Sequence, residues 1–82
     1  MSVPRYLLHH RHEPSQCGVA YAAFKGEPSP LRHKPAVTSC LTGGHEMWWV
    51  VEADSPDDAL GQLPHFLATR STVTTITEVE IP

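Results

Sequence analysis

Five residues have the types and spacing of a metal-binding set: His10, His12, Cys17, Cys40 and His45. In line they read His-x-His, four residues, Cys, and further on Cys, four residues, His. Imidazole nitrogen and thiolate sulfur suit zinc, nickel or copper. A His-x-His pair on a strand sets two imidazoles on one face, two residue rises apart. A cysteine at a helix N-terminus is expected to have a lowered pKa and to favour the thiolate. Four ligands would close a structural site, and three would leave a position open. Neither half matches a standard zinc spacing, so other readings stand beside this one. Cys17 and Cys40 also fit small buried hydrophobes, or a disulfide between the first helix and the second strand. His10 and His12 also fit solvated strand-end residues.

The elements around these residues decide whether they meet. Residues 5–12 alternate as a strand, with Tyr6, Leu8, His10 and His12 on one face and Leu7, His9 and Arg11 on the other. Pro14-Ser15 ends it and offers Ser15 as the cap of a helix over 16–25, with Cys17, Ala20, Tyr21 and Phe24 as its apolar stripe. Gly26 stops that helix, and Pro28, Pro30 and Pro35 make a semi-rigid loop. Residues 36–42 read as a second strand, Gly43-Gly44 as a hairpin turn and residues 45–53 as a third strand. That turn pairs Thr42 with His45 and Cys40 with Met47. Cys40 and His45 then share the helix-covered face with Thr38, Trp49 and Val51, while Ser39, Glu46 and Glu52 face away.

Ser55-Pro56-Asp57-Asp58 opens a second helix: Ser55 caps, Pro56 fits the first position, and the two Asp favour the positive helix end. Leu60, Leu63 and Leu67 form its stripe, and Pro64 within it should kink or divide the helix. Residues 72–81, rich in Thr, Val and Ile, read as a fourth strand. The order predicts an α+β fold, ferredoxin-like βαββαβ, with an antiparallel four-stranded sheet and two helices on one face, as a single domain over 1–82. In that topology the end of the first strand, the start of the first helix, the end of the second strand and the start of the third meet at one edge. The five candidate ligands lie there.

Composition bounds the role. A domain of 82 residues has a thin core. A net charge of -3, with Arg5, Arg11, Lys25, Arg32, Lys34 and Arg70 scattered, argues against nucleic acid as a partner. No run approaches the ~20 apolar residues of a membrane helix. The start, from Met1 to Leu8, has no leader pattern, so the chain reads as cytosolic, where two free thiols are ordinary. Six His equal Lys and Arg together, and protonating all of them would move the charge from -3 to +3, as in a pH-sensitive surface or a metal binder. His9, His33 and His65 read as surface groups. Trp48 and Trp49 point to opposite faces. Trp48 then stands on the open face with Leu7, Leu41, Val50 and Ile76, and such a patch beside a thin core predicts a homodimer.

The order of elements, the length, and the segments Asp57-Asp58-Ala59-Leu60, Leu63-Pro64 and Val79-Glu80-Ile81 resemble the small dimeric α/β-barrel proteins. That resemblance is one of plan and spans most of the chain. It implies two ferredoxin-like sheets paired face to face, in a grouping that includes muconolactone isomerase-like and antibiotic-monooxygenase-like enzymes and small nickel-binding proteins. None of their active-site motifs maps onto this chain, and fold alone supplies no function. Three readings follow. The first is a small dimeric protein that binds zinc, nickel or copper through His10, His12, Cys17, Cys40 and His45. The second is a cofactor-free isomerase- or monooxygenase-like enzyme using His9, Arg11 and Glu46 on the face lined by Trp48. The third is a non-catalytic assembly or regulatory subunit. The balance leans away from an enzyme, since no nucleophile–base set or paired-carboxylate spacing is visible.

Overall fold

In the computed structural model, which describes residues 3–82, the alternation of the two most regular segments becomes the centre of a sheet. Met1 and Ser2, where the leader reading begins, lie outside the described residues. Strand β1 is Arg5–Arg11 and strand β3 is Glu46–Glu52. They pair antiparallel from Arg5 opposite Glu52 to Arg11 opposite Glu46. Tyr6, Leu8 and His10 of β1 and Met47, Trp49 and Val51 of β3 are buried, while the residues between them are half-buried or exposed. Period-two patterning thus sets the faces of both central strands. Strand β4, Ser71–Ile76, pairs with the free side of β1, and the short β2, Val37–Thr38, pairs with β3. The result is a small α+β fold with four antiparallel strands in the order β2-β3-β1-β4.

Short helices complete the core. Helix α1 is Cys17–Ala22, α2 is Pro56–Leu60 and α3 is His65–Ala68. Ala20, Ala59, Leu63 and Leu67 pack with Tyr6, Leu8, Met47, Trp49 and Val51 in one cluster. Leu8 and Leu67 are fully buried, and burial of each contributes about 1.5–3 kcal/mol. Ser55 caps α2 by accepting the Asp58 N–H at 3.1 Å, with Pro56 in the first turn. The second helix divides as Pro64 requires: α2 ends at Leu60, and Pro64, at φ −56° and ψ 155°, stands outside the start of α3.

Other boundaries differ from the sequence expectation. The first helix spans six residues rather than 16–25. A 3₁₀ turn, Pro14–Gln16, precedes it, and the Gln16 side chain accepts the Glu13 N–H at 2.9 Å, so the chain turns one step before Ser15 could cap it. Tyr21 is 45% exposed and leaves the buried stripe, its hydroxyl lying 3.3 Å from that of Thr38. The second strand stops at Thr38 because Cys40–Thr42 coil into a second 3₁₀ turn. Gly43 takes a left-handed φ of 95°, and Gly44 packs where a Cβ would lie 2.2 Å from the Ser39 hydroxyl. The left-handed φ favours glycine at 43 and the close approach to Ser39 favours it at 44. Met47 therefore faces Thr38, not Cys40. Leu41 sits in that turn at 87% exposure instead of on the open sheet face. The fourth strand ends at Ile76, opposite Arg5, where its pairing strand β1 begins. No helix among the described residues is long and apolar enough to cross a membrane.

Candidate metal centre

Four chain segments converge at one end of the central strands. His12 follows β1, and its N–H donates to the His45 carbonyl at 3.1 Å, which draws the start of β3 against the end of β1. Cys17 is the first residue of α1, and Cys40 opens the 3₁₀ turn after β2. The ligand atoms of His12, Cys17, Cys40 and His45 all lie within 4.8 Å of one another. His12 Nε2 is 3.3 Å from Cys17 Sγ and 3.3 Å from Cys40 Sγ, and His45 Nδ1 is 3.4 Å from Cys17 Sγ. Zinc–sulfur and zinc–nitrogen bonds of ordinary length imply nitrogen–sulfur edges of about 3.5 Å in a tetrahedron. The side chains already stand close to that spacing. Both thiols are free.

The two-residue difference in register keeps Thr38 on the face expected for it, while Cys40 lies beyond the ladder. A slip of two preserves the face of every side chain, whereas a slip of one would reverse it. Cys40 arrives through the turn instead of from the ladder, and on the same side of the sheet as His12.

His10, the fifth sequence candidate, stands one step behind the four. Its Nε2 lies 3.0 Å from His12 Nδ1, and the ring is fully buried. It also approaches Phe66, with ring centroids 6.2 Å apart. Its Nδ1 is buried with no hydrogen-bond partner among the described residues, and burial, reinforced by His12, lowers the ring's pKa. A proton on His10 Nδ1 leaves Nε2 to accept from His12 Nδ1–H. His12 then presents the Nε2 lone pair to the two sulfurs. An imidazole whose rear nitrogen is held this way is oriented for ligation.

Electrostatics separate the four ligands. Burial lowers the His12 pKa below its ordinary value, with His45 adding to the effect, so the ring is held neutral as ligation requires. The Cys17 thiol is raised, first by desolvation and then by Cys40. The helix start does not lower it as the sequence reading expected: α1 has only six residues, and a second sulfur stands beside it. For Cys40 desolvation acts upward, but the hydroxyls of Thr38 and Tyr21, together with Cys17, outweigh it and lower the thiol. Thr38 and Tyr21 were not among the sequence candidates. Their signal was present, since Tyr21 lies four residues after Cys17 on one helix and Thr38 two before Cys40.

The remaining histidines lie elsewhere. His33 and His65 are exposed. His9 stacks on Trp48 on the open face, with centroids 5.2 Å apart and planes within 5°. Comparison of the chain with known protein families, with curated proteins and with solved structures gives no match.

Proposed function

We propose that this protein binds one zinc ion through His12 Nε2, Cys17 Sγ, Cys40 Sγ and His45 Nδ1, in a storage, sensing or delivery role. The observation that carries the reading is the convergence of these four atoms within 4.8 Å of one another. Two sulfurs and two imidazoles in a compact group are the donor set of tetrahedral zinc, whereas tetragonal nitrogen and oxygen sites favour copper(II) or nickel(II). Four protein ligands leave no position for a reacting water, which favours binding over hydrolysis. Cys17, Cys40 and His45 are only half-buried, so the ion has a short route to solvent. Thiolate ligands need a reducing compartment, which supports a cytosolic location.

The finer structural reading belongs to the same proposal. Helical segments in both crossovers and the order β2-β3-β1-β4 support a ferredoxin-like fold. Self-association through the open sheet face is supported by Val50 at 52% exposure beside half-buried Leu7 and Trp48. Trp48→Glu should convert such a dimer to monomer in analytical ultracentrifugation, and an unchanged sedimentation coefficient would remove the dimer from the proposal.

Elemental analysis of untagged protein purified under reducing conditions tests the metal reading. Near-stoichiometric zinc that disappears in a Cys17→Ala/Cys40→Ala variant is the expected result. Cobalt(II) added to the metal-free protein should give thiolate charge-transfer and tetrahedral ligand-field bands. Protein that neither retains nor takes up metal would return the four residues to ordinary packing roles.

A further inference from the structure

A second concave site lies between α1, the proline-rich loop and β3, bordering the metal centre through Tyr21 and Thr38, which line it and also stand beside Cys40. It is a cavity of about 500 Å³, within the ordinary size range of small-molecule sites. Its apolar wall is formed by Phe24, Leu31, Met47 and Trp49. Met47 and Trp49 belong to the buried core, and Phe24 meets Trp49 edge to face with centroids 6.1 Å apart. Lys25, Arg32 and Lys34 also line it, all three exposed at its mouth.

The charge there is one-sided. The chain carries six Lys and Arg against nine Asp and Glu, yet half of its cations line this cavity and none of its carboxylates does. Arg5 and Arg11 pair with Glu78 and Glu46, whereas Lys25, Arg32 and Lys34 form no ion pair among the described residues. The sequence separates these residues by a proline-rich stretch, and the fold returns that stretch over the end of α1.

The mouth is also held in place. Arg32 N–H donates to the Ser29 carbonyl at 3.2 Å and Lys34 N–H to the Leu31 carbonyl at 3.1 Å. The Ser29 hydroxyl donates to the Gln62 carbonyl, which ties the loop to the segment between α2 and α3. His33 takes a left-handed φ of 66°, an uncommon conformation that reverses the chain between the two cations. A loop ordered in advance reduces the entropy lost when a ligand binds.

We propose that this cavity binds a small organic anion, a carboxylate carried on an aromatic or branched aliphatic body. The body packs on Trp49, Phe24 and Leu31, and the carboxylate meets Arg32 with Lys25 or Lys34. Both halves are required. The cations alone are solvated surface groups of small effect, and the apolar wall alone does not select for charge. The site uses none of the four ligands, although Tyr21 and Thr38 border both it and Cys40.

The test is an NMR titration of the protein as purified with 3-phenylpropionate, with 3-phenylpropionamide as its neutral match. The indole N–H of Trp49 should move and saturate, with a dissociation constant of about 1 mM or below. The indole of Trp48, on the opposite face of the sheet, should stay in place. The amide should bind about tenfold more weakly, the loss expected when a charge-assisted hydrogen bond goes. In a Lys25→Gln/Arg32→Gln/Lys34→Gln variant the acid should weaken by about the same factor while the amide is unchanged. All three positions are exposed, so the fold survives the change. Inorganic phosphate alone should leave Trp49 unmoved. The proposal is overturned if acid and amide bind equally, if phosphate reproduces the acid's effect, or if no titrant moves Trp49.

Discussion

Two histidine-bearing regions lie on the same pair of strands and solve opposite problems. On the open face, Glu46 accepts from Arg11 Nε at 2.8 Å and lies 2.9 Å from His9 Nε2, while His9 stacks on Trp48. Each polar group there has a partner within the group, and opposite charges meet. At the edge, two sulfurs and two imidazole nitrogens face one another with no carboxylate or cation between them. Hydrogen bonds to sulfur at 3.3–3.4 Å hold that arrangement only weakly. The first region pairs opposite charges, while the second gathers four potential ligand atoms within 4.8 Å of one another. Histidine count alone does not separate a ligand from a surface residue; the partner set does.

The largest expected effect is on metal affinity. Cys17→Ser/Cys40→Ser should lower zinc affinity on the order of 10³-fold or more, because deprotonated thiolates supply most of the binding. A chelator competition assay measures this, and the matching change on the open face, Glu46→Gln, should leave affinity unmoved. Equal losses in the two variants would erase the distinction between the regions.

Zinc should also stabilise the fold. At a free concentration about 1,000 times the dissociation constant, the linkage contribution is about 4 kcal/mol. For a domain of this size that raises the melting temperature by roughly 15–30 °C. Calorimetry with and without a chelator checks it, and a melting point indifferent to chelation would mean that the folded protein does not bind the ion.

Next in size is the residue behind the ligands. His10→Gln should weaken zinc by about 10–100-fold, as is usual when the partner that orients a ligating imidazole is lost. The same change at His9 should not alter affinity. An unchanged affinity in His10→Gln would reduce His10 to a core residue.

Acid should separate the regions by pH. Burial, reinforced by His12, holds His10 below its ordinary value of 6.5, and burial, reinforced by His45, does the same to His12. Between those lowered values and 6.5 the unfolded chain binds more protons than the folded one. The metal-free protein is therefore at full stability above 6.5 and loses it as pH falls through the lowered values. Glu46 is also held low, first by Arg11 and then by His9. Its contribution is present above its ordinary 4.5 and is lost only as pH falls further. Denaturant midpoints of the metal-free protein measured from pH 7 to pH 3 should begin to fall below 6.5, before the further loss below 4.5. A single transition below pH 4.5 would contradict the assignment.

The sequence read most clearly where local rules and burial agree. Ser55 and Pro56 could serve only a helix start, and Pro64 could only interrupt what followed. β1 and β3 were legible because each is buried on one face, so that polar residues such as His9 and Glu46 alternate with Leu8 and Met47. The first helix and second strand were less legible because short elements take their ends from tertiary contacts. Tyr21 suits an apolar stripe as well as it suits a hydrogen bond to Thr38. No local signal decides whether Cys40 continues a strand or begins a turn.

The sequence by itself therefore determined which residue types stood at the edge and which faces the two central strands would bury. Period-two alternation survives a shift of two residues, so those faces held even though Met47 came to lie opposite Thr38 instead of Cys40. Only the tertiary structure decided that His12, Cys17, Cys40 and His45 form the inner set and that His10 stands behind His12. Ligand convergence depends on where four backbone segments stop, and those stops come from the Gly43-Gly44 turn, the 3₁₀ turns and the His12–His45 backbone bond. Tertiary structure likewise gathered Lys25, Arg32 and Lys34 around one cavity. Charges scattered along a chain become a patch only when a loop folds back over a helix end, and no pattern in one dimension records that.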